Sequence, residues 1–107
     1  MHIGWIGGLE RNETQLQRIA EDSGHTLEFH SGRVGGRGAS EIRSLVDRSD
    51  FMIILTDVNS HGAVLLAKRF VARVGCGSLV IRRCGSARFQ ALLDALAIRE
   101  QRLRPTG

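Results

Sequence analysis

The chain has 107 residues, 42% of them hydrophobic and 24% charged. That suits one domain with a buried core and argues against disorder. No apolar run approaches the roughly 18 residues of a membrane span. The opening residues lack the basic and apolar regions of a secretory signal, and two cysteines are too few for a disulfide framework. A cytoplasmic protein without a membrane segment is therefore expected. The formal net charge is +4, and of the fifteen basic residues only Lys68 is lysine; the rest are arginine. Arginine suits anion recognition, although an arginine-rich codon usage gives the same count.

Residues 2–6 form a short apolar run ending in Gly7-Gly8, a first strand entering a tight turn. Asn12 and Gln15 have the spacing of a capping box, with Leu16, Ile19 and Ala20 following on one helical face and Gly24 as a stop. Residues 26–30 alternate and read as a second strand, followed by a glycine- and arginine-rich loop over 31–38. Ser40 is placed to cap a helix reaching Arg48, with Ile42, Leu45 and Val46 inward. Residues 51–56 read as a third strand, apolar without a break through Leu55, the pattern of a parallel strand covered on both faces.

A helix is expected from about Ser60 to Val74, ended by Gly75 and Gly77, then a fourth strand over 78–82. Ser86 is placed to cap a last helix carrying Phe89, Leu92, Leu93 and Leu96, and residues 99–107 read as a polar tail. The alternation predicts a single α/β domain over 1–98. Its architecture would be a three-layer sandwich around a four-stranded parallel sheet, flavodoxin- or Rossmann-like, of order 2-1-3-4.

In such a sheet all strands end on one edge, where ligands bind. That edge would collect Gly7, Gly8 and Arg11, then His30 and Arg33, then Asp57, Ser60 and His61, then Cys84. The opposite edge carries Gly24-His25, Ser49-Asp50 and Gly75-Cys76-Gly77, which read as ordinary turns. Gly7-Gly8 would let an anion approach the backbone, but neither a dinucleotide fingerprint nor a P-loop is present. Asp57 is either a ligand or a turn-forming residue. Cys84, between Arg83 and Arg88 before a helix, has the setting of a lowered thiol pKa, although an inert small residue is the commoner reading of such a cysteine.

These residues resemble a family of bacterial domains known as domain of unknown function 2325. The resemblance covers nearly the whole chain. It is most specific at 6–11 (IGGLER), 28–33 (EFHSGR) and the block from Thr56 to Lys68 (TDVNSHGAVLLAK). It implies a Rossmann-like fold, haem or metal binding, and functional roles for Gly7, Gly8, Arg11, His30, Asp57, Ser60 and His61. Cys84 is not part of the pattern.

The first functional expectation is a cofactor-binding protein, with a sensor or redox role. Haem or a divalent transition metal would be held by His30, His61 or both, which start about 10 Å apart if strands lie about 4.8 Å apart. For one metal ion, Asp57 would be the third ligand. For haem, Arg11, Arg33 or Arg37 would pair with propionates, and Leu9, Val34 and Val58 would supply an apolar wall, with a homodimer adding to it. The second is an enzyme acting on a phosphate-bearing small molecule or nucleotide, with His61 or His30 as acid or base. The third is a basic nucleic-acid-binding adaptor, favoured by the charge but not by the scattered arginines.

Overall fold

In a computed structural model, the backbone is described for residues 1–103 and side chains for residues 1–98. The elements are β1 (His2–Ile6), a 3-10 turn (Glu10–Asn12), α1 (Glu13–Asp22), β2 (Thr26–His30) and α2 (Gly38–Arg48), followed by β3 (Phe51–Leu55), α3 (His61–Val74), β4 (Gly77–Ile81) and α4 (Ser86–Leu103). All strand pairs are parallel, in the order β2-β1-β3-β4. Both the alternation and the strand order follow the sequence expectation.

β3 shows why a continuous apolar run selects the centre of a parallel sheet. Successive side chains point to opposite faces, and both faces are covered. Ile53 and Leu55 join Ile3, Trp5 and Leu27 against α1 and α4, with Phe89 and Leu93 from α4. Met52 and Ile54 join Ile6 against α2 and α3, with Ile42, Leu45, Val64 and Ala67. Trp5 and Phe89 meet edge to face with ring centroids 5.2 Å apart, a favourable aromatic geometry. No helix among the described residues is long and apolar enough to cross a membrane.

The helix ends depart from expectation in instructive ways. Asn12 makes no side-chain cap, because the 3-10 turn runs straight into α1 and leaves Asn12 helical, with φ −90° and ψ −7°. The capping box is therefore not formed. α2 begins at Gly38, two residues before Ser40, and its N-terminus has no side-chain cap. Gly38 can start it because a Cβ there would lie 1.9 Å from the Arg33 carbonyl oxygen, so only glycine fits. Ser86 opens α4 rather than capping it, with the Gly85 carbonyl accepting the Phe89 N–H at 2.9 Å. β4 starts one residue earlier than expected. The expected polar tail divides: α4 continues through Leu103, and residues 104–107 lie outside the described residues.

α3 begins and ends as expected. The Ser60 side chain accepts from the Ala63 N–H, and Gly75 ends the helix in the left-handed conformation at φ 71°.

Candidate functional site

The loops after β1, β2 and β3 are joined by a relay of hydrogen bonds. The Gly7 N–H donates to the His30 carbonyl at 2.9 Å, which ties the first turn to the end of β2. The Gly32 N–H donates to His30 Nδ1 at 2.9 Å. The Ser60 hydroxyl donates to the Gly32 carbonyl at 2.8 Å and accepts from the Ala63 N–H at 3.0 Å. Three sequence-selected residues, Gly7, His30 and Ser60, thus belong to one network.

Asn59 is the wedge between these loops, a residue to which the sequence assigned no role. Its Nδ2 donates to the Leu55 carbonyl at 2.7 Å. A Cβ on Gly32 would meet its Oδ1 at 1.9 Å, and a Cβ on Gly7 would meet its Nδ2 at 2.8 Å. Both glycines also have positive φ, 93° and 98°. They are therefore required twice, by backbone conformation and by space. Asn-Ser before a helix, two turns of glycine elsewhere, is too common a pattern to have revealed this contact.

The amides of the glycine pair are not open to an anion. Gly7 donates to His30, and Gly8 donates to the Val58 carbonyl at 2.9 Å. The expectation of anion contact at this turn is corrected on that ground: the N–H groups are already used to join the loops. Val58 is held at φ 49°, a left-handed conformation that costs a β-branched residue about 1–3 kcal/mol. Trp5 Nε1 donates to the Gly7 carbonyl at 3.0 Å, anchoring the turn to the core.

His30 and His61 occupy different environments. His30 is 11% exposed in its side chain. Because its Nδ1 accepts the Gly32 N–H, its ring proton sits on Nε2, which faces Glu41 Oε2 at 3.6 Å. Neither nitrogen then offers a lone pair to a metal. His61 is exposed at the first position of α3, and its side chain makes no hydrogen bond among the described residues.

Asp57 lies apart from His30, on the β4 side. Its backbone N–H donates to the Arg82 carbonyl at 3.1 Å, and its Oδ2 accepts from Arg83 Nε at 2.6 Å. The Arg83 hydrogen bond holds its carboxyl below the usual value. The three-ligand set of His30, His61 and Asp57 is not assembled: among the described residues no three His, Cys, Asp or Glu side chains are grouped to hold a metal ion. Parallel pairing of β3 with β4 draws Asp57 toward Arg83 instead.

Cys84 is corrected as well. Burial against the α1–α4 face pushes its thiol up, and Arg88 opposes that only in part. Arg11 and Arg33 are both exposed on this edge.

The sequence profile of bacterial proteins described as "Uncharacterized protein conserved in bacteria (DUF2325)" matches residues 2–96. The chain belongs to the DUF2325 family. The matched span covers β1 to the middle of α4, so the whole sheet and every residue of the relay lie within the DUF2325 domain. No curated protein matches the chain.

Proposed function

We propose that this DUF2325 domain holds a cofactor at the C-terminal edge of its sheet, with haem the cofactor the side chains suit best and His61 its ligand. The observation that carries the reading is the state of His61: an exposed imidazole, without a hydrogen-bond partner among the described residues, next in the chain to Gly62, which exposed Val34 approaches. Leu9, Val34 and Val58 are 41%, 37% and 52% exposed. Val34 lies over the first turn of α3, since a Cβ on Gly62 would be 3.8 Å from its Cγ2. Val58 and Leu9 line one cavity on the β4 side of the same edge.

A porphyrin needs an apolar surface, an axial donor and cations for its propionates. This edge offers aliphatic carbon, a free imidazole, and the exposed guanidinium groups of Arg11 and Arg33. Bound haem would supply an iron centre for ligand sensing or electron transfer. The chain's own contribution would be to fix the imidazole on a capped helix and to cover one porphyrin face. A second copy of the chain would cover the other. A divalent ion held by several side chains is less well supported, because the ligands are not grouped. Within this reading His30 is a positioning residue, whose ring orders the loop that carries Arg33.

The test is an absorption titration of the purified protein with haem. Saturable binding near one haem per chain, with a Soret band distinct from free haem, is expected. A spectrum that remains that of free haem at all ratios would remove the reading.

A further inference from the structure

Of the cavities near this edge, two differ in charge. One, of about 440 Å³ on the β2 side, is lined by Glu10, Glu13 and Glu41 against Arg33. The other, of about 370 Å³, lies where the ends of β1, β3 and β4 meet, with Arg82 and Arg83 against Asp57 and an apolar wall of Leu9, Leu55 and Val58. Only the second has an excess of cationic groups.

Its place in the fold is also distinctive. β1 and β3 are neighbours, yet α1 packs on the face of α4 and α3 on the face of α2. The chain therefore leaves the two strands in opposite directions, and a crevice opens between the departing loops.

We propose that this crevice binds the phosphate of a small organic phosphate monoester, with Arg82 as the principal contact and the Leu9–Leu55–Val58 wall against the organic body. Arg82 is exposed and has no carboxylate within ion-pair distance among the described residues. Arg83 is occupied by Asp57. An arriving dianion competes with Asp57 for Arg83, so Asp57 limits affinity. The start of α4 borders the crevice at Gly85, and its first amides, Ser86 to Arg88, have no acceptor among the described residues, which adds donors of the right sign. His61 does not line this crevice, but Leu9 and Val58 serve both readings, so haem and a phosphate ester would compete for that wall.

The test is calorimetric titration of the whole protein with inorganic phosphate and with adenosine monophosphate, at low ionic strength. The monophosphate should bind at least about tenfold more tightly than inorganic phosphate, through the apolar wall. Arg82→Gln should weaken both by about tenfold, the scale of one charge-assisted hydrogen bond. Asp57→Asn should tighten both by about threefold. Arg43→Gln, on the exposed face of α2, should change neither. Absence of binding at millimolar concentration, or loss on Arg43→Gln but not Arg82→Gln, would overturn the site. Equal affinity for the two ligands would overturn the organic ester.

Discussion

At the scale of single residues, the edge is built on contacts that tolerate little change. Gly32 sits at φ 93° with Asn59 against the place where a side chain would begin. Gly32→Ala should therefore cost about 2–3 kcal/mol, read as a lowered denaturation midpoint with an unchanged slope. A cost within 0.5 kcal/mol, the scale of neutral surface changes, would show that the loop can relax around a methyl group. Asp57 carries a pH effect of known sign. Its carboxyl is held below its ordinary 3.8 by the hydrogen bond from Arg83. The charged form is thus favoured by folding, and the contribution is present above about pH 4 and lost as pH falls through the lowered pKa. Asp57→Asn should flatten the acid limb of the stability curve while leaving its shape near pH 7 unchanged. An acid limb that stays as steep as wild type would assign the effect to other carboxylates.

Residue-scale features were also the hardest to read from sequence. Ser60 was placed at the start of α3 by the apolar helical pattern that follows it, while its side-chain cap on the Ala63 N–H was not foreseen. Asn59 was given no role, because its partners are glycine Cα positions from two distant loops. Asp57 was grouped with the histidines by its place after β3. Its link to Arg83 depends on β3–β4 pairing carrying the chain beyond the strands.

At the scale of elements, hydrophobic pattern decided most of what could be decided. The unbroken run Phe51–Leu55 became the buried central strand, since alternate residues meet apolar helices on both sides. Ile54→Asp should thus cost at least about 4 kcal/mol and leave the protein largely unfolded by circular dichroism, because it buries an unpaired charge. Leu65→Asp, on the exposed face of α3, should change stability by no more than about 0.5 kcal/mol. Equal tolerance of both would contradict the buried position of β3. Helix starts were less legible. A 3-10 turn replaced the capping box of α1, and the close approach of Gly38 to the Arg33 carbonyl moved the start of α2. Both are tertiary effects that no local motif encodes.

At the scale of the whole molecule, strand order follows from right-handed crossovers, and it directs the loops of all four strands to one edge. That is why a list of residues following the strands found most of the site. It did not find the division of that edge into a β2 side rich in carboxylates and a β4 side rich in arginine. Sequence position gives the edge; side-chain pairing gives the division.

The same pairing separates the two histidines, and the central claim rests on that separation. His61 is free to contact a ligand, whereas His30 spends its Nδ1 on the Gly32 N–H. The most direct measurement is a haem titration of His61→Ala and His30→Ala beside wild type, with thermal unfolding of each apoprotein. His61→Ala should retain wild-type stability and lose the ligated Soret band, with affinity at least about tenfold weaker. His30→Ala should keep the ligated spectrum and lose about 1–2 kcal/mol of stability, because the Gly32 N–H loses its acceptor. A ligated spectrum that survives in His61→Ala and vanishes in a stable His30→Ala would contradict the account.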